Sequence, residues 1–389
     1  MKKVFTMKSL VAVAAVAACG FGLAACGDQG EKVYKIGFSG PLSGSAAIYG
    51  TAVKNSAQMA VDEINANGGF NGYKFELTAL DDVCEGTKAA ANYATLQEKG
   101  MQVSLGAVTS GACLEYGRYA KEDNVFCLTP SATHDGVPQV GDNMYQMCFS
   151  DSGQGAGAAE YVKANYPTAK VGVFYNSSDA YSDGIYKTFK ASYGKEPDVV
   201  TSFTNDTNTD FASQVSQLKD CDFIFLPIYY QEASQFITQA KTVVKADAVY
   251  FGCDGLDGIA GGVAGFDVNS FTQEISYLSH FNSAATDEKT VHYVTEYTKK
   301  YGADSLNQFG ASAYDCVYAI YNAMKAAIDA GEEIDVTISA SDLCDILKAQ
   351  FTGDFSYSGV TGNNITWEDN GYVSKEAVKY TLKTANSAQ

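Results

Sequence analysis

Histidine is scarce in this chain, and the spacings that common zinc and hydrolase sites require are absent. Only three of its 389 residues are histidine: His134, His280 and His292. No CxxC pair or Cys/His cluster occurs at zinc-ligand spacing, and no GxSxG elbow or thiol nucleophile motif accompanies the histidines. We identify no catalytic apparatus in the sequence and predict that the chain is not an enzyme.

Two further motifs are present only in part. Asp206-x-Asn208-x-Asp210 begins like a calcium loop, but Phe211 takes the place of the required glycine and Gln217 that of the twelfth-position glutamate. The glycines of residues 153–157 do not follow a strand directly and lack the spacing of a dinucleotide fingerprint. We therefore predict neither a metal site nor a cofactor.

Positive charge is also in short supply. The chain carries 27 basic and 45 acidic residues, a formal net charge of −18. Such a charge argues against nucleic acid or an anionic bilayer surface as a partner, because both repel an acidic protein. The net charge does not indicate which ligand is bound, because the charge of a pocket is independent of the net charge of the protein.

The one long apolar stretch lies at the N-terminus. Lysines precede a short apolar run that ends in Leu23-Ala24-Ala25-Cys26. This pattern is typical of an export signal rather than a membrane span, and its end resembles a bacterial lipobox, in which the cysteine is lipidated. We predict a signal peptide at residues 1–25, lipidation of Cys26 and a tether at 26–32. The alternative is that Cys26 is an ordinary thiol in a cleaved leader.

Short apolar runs alternate with helical segments through the rest of the chain. Strand-like runs occur at residues 33–39, 73–80, 103–108, 125–128, 170–175, 199–203, 222–227 and 248–251. Helical periodicity fills most intervals and dominates residues 287–350, and the tail at 355–382 is again strand-like. This order is typical of α/β folds built on parallel sheets.

Two such series, joined by extended connections, predict two doubly wound lobes. The late helices are expected to return to the first lobe, so that the chain crosses between lobes three times. The predicted N-terminal lobe comprises residues 33–149 and 281–355. The predicted C-terminal lobe comprises residues 150–280 and 356–389.

Small hydroxyl residues follow two neighbouring strands of the first series. Ser110 follows the run at 103–108, and Ser131 and Thr133 follow the run at 125–128. Ligands of parallel sheets bind beyond the carboxyl ends of the strands, and hydroxyls beside a helix N-terminus suit a carboxylate. The alternative is that these residues only cap turns.

The order of several motifs resembles one known family, the leucine/isoleucine/valine-binding (branched-chain amino acid) lipoproteins that serve ABC importers. The similarity covers nearly all of the chain after the leader. Its motifs are YKIGFSGPLSG at 34–44 with Tyr49-Gly50, AVDEINANGGFNG at 60–72, Asp81-Asp82, LTPSAT at 128–133, GCDG at 252–255, and the hairpin at 359–371. The resemblance implies the two-lobed type I periplasmic-binding-protein fold.

The resemblance also implies a set of ligand-binding residues. Ser110, Ser131 and Thr133 match positions that hold the ligand α-carboxylate, and Asp254 matches the acidic residue that holds the α-ammonium. Asp254 lies between Cys253 and Gly255, so it could instead be a turn carboxylate that bonds its own backbone. Aromatic positions that close over the ligand match Tyr181 and either Tyr229 or Tyr230. Positions of the side-chain pocket match Tyr49 and Phe309, although these two could simply be core residues.

The sequence alone does not determine which cysteines form disulfides. Eight cysteines remain after Cys19 and Cys26 are set aside, and export favours their oxidation. Cys84 matches a family cysteine whose partner aligns at Thr109, and Cys113 lies one helical turn further on. The resemblance therefore suggests a Cys84–Cys113 disulfide.

Taken with the export signal, these features predict a monomeric receptor on the outer face of the cytoplasmic membrane. It would be held there by its lipid anchor, would capture an amino acid between its lobes and would deliver it to ABC permease subunits. The alternatives are a ligand-binding sensor or accessory lipoprotein that feeds no transporter, or an importer receptor for urea, amide or aromatic carboxylate ligands.

Overall fold

The computed structural model describes residues 32–383. The predicted leader at residues 1–25, the lipidation site Cys26 and all of the predicted tether except Lys32 lie outside the described residues. Between residues 32 and 383, no helix is both long and apolar enough to cross a membrane.

The first sheet has five parallel strands in the order β2-β1-β3-β4-β5. The apolar runs that form it are buried, and Phe38 at the centre of β1 is fully enclosed. The strands are β1 (Val33–Gly40), β2 (Lys74–Asp81), β3 (Val103–Ser104), β4 (Cys127–Thr129) and β5 (Met144–Gln146), and the helices among them are α1 (Ala47–Ala66), α2 (Gly86–Glu98), α3 (Ser110–Glu122) and α4 (Gly136–Gln139).

The second sheet has six strands in the order β11-β10-β9-β8-β6-β7. Its strands are parallel except β11, which pairs antiparallel with β10, so the sheet is not parallel throughout as predicted. The strands are β6 (Val171–Asn176), β7 (Val199–Phe203), β8 (Phe223–Leu226), β9 (Val249–Gly252), β10 (Glu274–Ser279) and β11 (Val378–Lys383), and the helices are α5 (Asp151–Asn165), α6 (Ala180–Tyr193), α7 (Ala212–Leu218), α8 (Tyr230–Ala240) and α9 (Ile259–Gly262).

The late helices pack against the first sheet and its helices. They are α10 (Glu288–Tyr301), α11 (Gln308–Asp329) and α12 (Ala340–Phe351). Helix α11 packs along α1 at close range, because a Cβ added at Gly310 would lie 2.8 Å from Ser56 Oγ. The first sheet with α1–α4 and α10–α12 is called the first lobe below, and the second sheet with α5–α9 is called the second lobe.

The segment 356–375 differs from its prediction. The sequence predicts that this segment belongs to the C-terminal lobe, but it lies against β5 of the first sheet. Trp367 donates its indole N–H to Gln146 O (2.8 Å), and Lys375 Nζ donates to Met147 O (2.7 Å). The Trp367 ring packs on Phe351 of α12, with ring centroids 4.3 Å apart. Burial of this large ring keeps the segment on the first lobe, and only β11 joins the second sheet.

The predicted Cys84–Cys113 disulfide is not formed. Both residues are free thiols, as are the other six cysteines among the described residues. Cys84 Sγ lies 3.5 Å from Thr109 Oγ1, the position at which the family partner aligns. Cys113 instead lies on the inner face of α3 and packs in the core with Tyr116 and Cys127. The two side chains therefore have different neighbours.

Candidate functional site

The carboxyl ends of β3 and β4 carry two neighbouring loops of the first lobe. Ser110 is the first residue of α3, behind the extended residue Thr109, so the free N–H groups of that helix start beside its hydroxyl. Ser131 and Thr133 lie in the loop after β4. Thr129 Oγ1 donates to Ala107 O (2.9 Å), and this bond fixes the two loops to each other.

Hydrogen bonds from the side-chain amide of Gln146 and the backbone N–H of His134 hold the loop after β4 in place. Gln146 of β5 donates from Nε2 to Ala132 O (2.7 Å) and His134 O (3.2 Å). The N–H of His134 donates to Ser110 Oγ (3.3 Å), which links the loop to the start of α3. Ser110 and Thr133 are almost fully buried, so their hydroxyls are held in a dry, neutral wall.

Asp254 lies opposite, in the loop that follows β9 of the second lobe. Its carboxylate accepts from Tyr181 OH (2.7 Å), and its backbone N–H donates to Gln154 Oε1 (2.9 Å). Only 1% of the residue is exposed, and this burial raises the pKa of its carboxyl to about 7. Its carboxyl therefore interacts with a side chain 73 residues away and also with the backbone of Gly255 in its own turn.

Four aromatic rings surround the space between these walls. Tyr181 and Tyr229 of the second lobe stack with ring centroids 4.9 Å apart. Tyr49 of α1 packs edge-on against Tyr229 (5.7 Å) and against Phe309 of α11 (4.8 Å). Tyr49 and Phe309 are buried as the core alternative requires, but they also border this space.

The structure brings most of the predicted site residues around one enclosed space. Tyr230 is the exception: it packs behind Tyr49, with ring centroids 5.1 Å apart, and does not line the space. The atom-free volume of this space is about 230 Å³. The lining residues are Tyr49, Val108, Thr109, Ser110, Ser131, Thr133, Tyr181, Tyr229, Asp254, Gly255 and Phe309.

Several of these contributors were not predicted from the sequence. Val108, Thr109 and Gly255 lie within two residues of predicted positions, in the loops that follow β3 and β9, and this placement was the signal that could have identified them. Gln154 supports Asp254 from α5, but no local pattern distinguishes it from an ordinary helix residue.

Asp151, at the start of α5, is a second buried acid close to the site. Its backbone N–H donates to Thr133 O (2.8 Å). Neither carboxyl oxygen has a hydrogen-bond partner among the described residues, and burial raises the pKa of this carboxyl well above its ordinary value. Asp151 therefore places a second buried carboxyl behind Thr133, and burial favours its neutral form.

The geometry gives the space two chemically different ends. Hydroxyls and a helix N-terminus of the first lobe suit an anion, and the carboxylate of Asp254 suits a cation. Among residues 32–383 there is no group of three or more His, Cys, Asp or Glu side chains arranged to hold a metal ion. A small zwitterion matches both ends at once.

Comparison with known proteins gives a consistent result. A family model described as periplasmic binding protein matches residues 33–383. The Leu/Ile/Val-binding protein BraC3 of Rhizobium johnstonii is 32% identical over 226 residues, which are 57% of this chain and 61% of that protein. The leucine-, isoleucine-, valine-, threonine-, and alanine-binding protein of Pseudomonas aeruginosa is 28% identical over 251 residues, 62% of this chain and 65% of that protein. These alignments span less than two thirds of either relative.

A solved structure extends the similarity to the full fold. The branched-chain amino acid transporter substrate binding protein LivJ from Streptococcus pneumoniae, in complex with isoleucine, is 29% identical with a TM-score of 0.76. The match covers 90% of this chain and 100% of that chain, so the predicted two-lobed α/β fold is confirmed. Because the family model also spans most of the sequence, this chain belongs to the periplasmic binding protein family.

Proposed function

We propose that this chain is the extracytoplasmic receptor of an ABC importer, which captures an amino acid between its lobes and delivers it to permease subunits. The relatives named above bind leucine, isoleucine, valine, threonine or alanine by their names, and LivJ is named as a transporter substrate binding protein. The proposal assigns binding rather than turnover, in keeping with a family of binding proteins.

One observation carries the proposal: a wall of hydroxyls on the first lobe faces the buried carboxylate of Asp254 on the second. In this assignment Ser110, Ser131 and Thr133 hold the ligand α-carboxylate, and Asp254 holds the α-ammonium. An aromatic carboxylate without an amino group would leave Asp254 without a counter-charge in a dry space, which is costly. The two-ended site therefore favours an amino acid over simple acids.

The aromatic residues complete the assignment. Tyr181 and Tyr229 cover the ligand from the second lobe, and Tyr49 and Phe309 bound its side chain from the first. Tyr230 supports Tyr49 from behind rather than contacting the ligand. Because the binding groups come from both lobes, neither lobe forms the site alone, and ligand binding is expected to favour the closed arrangement.

We place the lobe boundaries according to these contacts. The N-terminal lobe comprises residues 33–149 and 281–375, and the C-terminal lobe comprises residues 150–280 and 376–383. The first two crossings are those predicted from the sequence. The third lies at residues 375–378, because Lys375 still bonds Met147, directly after β5, and β11 begins at Val378.

We further propose that the protein is a monomer anchored by a lipid on Cys26 outside the cytoplasmic membrane. The support is the Leu23-Ala24-Ala25-Cys26 site behind a basic and apolar leader. Mass spectrometry of the mature N-terminus tests the anchor. An unmodified start at another residue would contradict it.

A thermal-shift screen of purified residues 27–389 tests the binding function. The screen contains the common amino acids together with small acids, amides and urea. Any ligand that binds only the folded state raises the melting temperature by mass action. We expect shifts with one or more amino acids, and shifts confined to amides or aromatic acids would contradict the proposal. Ligand uptake by vesicles carrying the permease distinguishes a transport receptor from a sensor.

A further inference from the structure

Helix α9 of the second lobe carries two adjacent glycines, Gly261 and Gly262, on a turn of only four residues. A Cβ added at Gly261 would lie 2.5 Å from the backbone O of Asp304 and 2.9 Å from its Cα. Asp304 belongs to the first lobe, in the loop between α10 and α11. The two lobes therefore meet here backbone against backbone, at a distance that leaves no room for a methyl group.

The neighbouring glycine makes a second contact with the first lobe. A Cβ added at Gly262 would lie 2.5 Å from Cδ1 of Ile48 on α1, and a Cβ added at Gly258 would lie 2.9 Å from the same atom. The ring of Tyr230 borders the same place, because its Cε2 would lie 3.3 Å from the Cβ added at Gly262. The end of the Ile48 side chain therefore lies in a socket of the second lobe, which is formed by the two glycines and this ring.

The socket lies beside hydrogen bonds that also cross the cleft. Tyr49 follows Ile48 in α1, and its hydroxyl donates to Gly255 O and accepts from the N–H of Tyr230 (3.0 Å), both in the second lobe. A hinge movement at the crossings separates the two lobes and with them all of these contacts. A methyl group added to α9 would then clash in the closed arrangement only.

The two glycines differ in how strictly they exclude a side chain. The end of the Ile48 side chain can move away from a methyl group at position 262 by rotation about its terminal bond, at the loss of its place in the socket. The backbone of Asp304 has no such freedom, so a methyl group at position 261 requires the lobes themselves to stand further apart. Gly261 is therefore the stricter of the two contacts.

We infer that α9 is a closing stop: Gly261 and Gly262 set how closely the lobes approach, and Ile48 latches them at that distance. The inference rests on the proposed amino-acid binding and adds positioning residues to it, since none of the three residues lines the enclosed space. A change that disfavours the closed arrangement lowers its population, and the apparent affinity falls by the same factor. The closing stop acts on every amino acid alike, so it sets affinity rather than the choice of ligand side chain.

Calorimetric titration of Gly261→Ala tests the closing stop, with residues 27–389 unfolded and refolded to remove any co-purified ligand. The panel is leucine, isoleucine, valine, threonine and alanine. We expect Gly261→Ala to bind the panel about tenfold to a hundredfold more weakly than the parent, as overpacking of a close contact produces. Gly157→Ala on α5, where an added Cβ has no neighbour within 4 Å, is the matched control and should bind as the parent does. Parent-like binding by Gly261→Ala would overturn the inference, whereas a parent that binds no member of the panel would contradict the proposed function instead.

The melting temperature without ligand separates closure from folding. The unliganded lobes can open and relieve the clash, so Gly261→Ala should melt at the same temperature as Gly157→Ala when no ligand is present. A large drop in the melting temperature of unliganded Gly261→Ala would show that this contact belongs to the fold itself, and the closing stop would be rejected.

A double-mutant cycle tests the latch. Ile48→Ala removes apolar surface that the closed arrangement buries, so it should weaken binding by about threefold to tenfold. Gly262→Ala should weaken binding in the parent but cause no further loss in Ile48→Ala, because the truncated side chain leaves room for the added methyl group. Additive losses in the double variant would show that Ile48 and Gly262 act independently and would overturn the latch.

Discussion

Ser110 and Thr133 contribute hydroxyls to the same wall from two different loops, and each can be tested separately. A hydroxyl that bonds a charged group contributes about 1.5–3 kcal/mol. We therefore expect Ser110→Ala and Thr133→Ala each to weaken amino-acid binding by about tenfold to a hundredfold in calorimetric titration. Thr87→Ala, at an exposed position on α2, is the control. A change below about threefold in both site variants would place the carboxylate elsewhere.

The carboxyl of Asp254 should make binding depend on pH. Burial raises its pKa to about 7 in the unliganded cleft, whereas an ammonium group binds the ionised form. Binding should therefore strengthen as the pH rises through 7. About a tenth of the carboxyl is ionised one pH unit below this pKa and about nine tenths one unit above it, so affinity should be about tenfold weaker at pH 6 than at pH 8. Equal affinities at these two pH values would contradict the assignment.

Asp254→Asn provides the matched variant for that titration, because it keeps the volume and removes the charge. It should lose most amino-acid binding together with the pH dependence. The folded pKa lies above the ordinary value of 3.8, so the unliganded protein loses stability as the pH rises from about 4 to 7. Asp254→Asn removes this loss and should melt no lower than the parent at pH 7. Asp220→Asn, at an exposed position, controls for the change in net charge.

At the level of single residues, the sequence was informative wherever a side chain followed a strand. Ser110, Ser131, Thr133 and Asp254 all do so, because the carboxyl ends of parallel strands form one edge. Tyr230 was also predicted as a site residue because it adjoins Tyr229. Adjacent side chains at the start of a helix point in different directions, so Tyr230 does not line the space with Tyr229. The bonds of the Tyr49 hydroxyl depend on how the lobes meet, which no local pattern encodes.

At the level of elements, the helices and most strands could be predicted because the spacing of apolar residues determines whether a segment forms a helix or a strand. Strand β3 is shorter than its apolar run at 103–108, since Gly106 adopts a positive φ of 65° and bends the chain after Ser104. The antiparallel pairing of β11 and the position of 356–375 were not predictable from local patterns. Both depend on contacts with residues about 100 or more positions away in the sequence.

Trp367 is expected to hold the segment 356–375 on the first lobe. Its ring is 7% exposed and packs on Phe351, and its N–H bonds Gln146 O. Trp367→Ala should lower the free energy of unfolding by about 3–5 kcal/mol. Trp367→Phe keeps a ring and loses mainly the hydrogen bond, so it should cost about 1 kcal/mol. Denaturant unfolding followed by circular dichroism measures both, and a loss below about 1 kcal/mol for Trp367→Ala would contradict this packing.

At the level of the whole molecule, stability should not depend on disulfides. Residues 27–389 contain eight cysteines, and all eight are free thiols that are buried or half-buried. Protein purified without reductant and then denatured should therefore titrate as eight thiols with a chromogenic disulfide reagent. Reductant should leave the melting temperature unchanged. A titration of six or fewer thiols would show that at least one pair is oxidised, and peptide mapping would identify it.

The closed arrangement of the lobes depends on bonds that cross the cleft. Tyr49 OH contacts Gly255 O and Tyr230 N, and the N–H of Gln308 donates to Asp257 Oδ2 (2.8 Å). These contacts bring the hydroxyls of Ser110 and Thr133 and the carboxyl of Asp254 around one small space. A ligand that lacks either charged end can satisfy only one lobe, so it should stabilise closure much less.

Calorimetric titration with alanine, propionate and ethylamine tests this account most directly, because the last two compounds each lack one charged end of the first. Removing either charged partner from a buried pair costs about 3–5 kcal/mol. We therefore expect alanine to bind at least about a hundredfold more tightly than propionate or ethylamine. Propionate binding as tightly as alanine would show that Asp254 does not recognise an ammonium group, and the amino-acid assignment would be wrong.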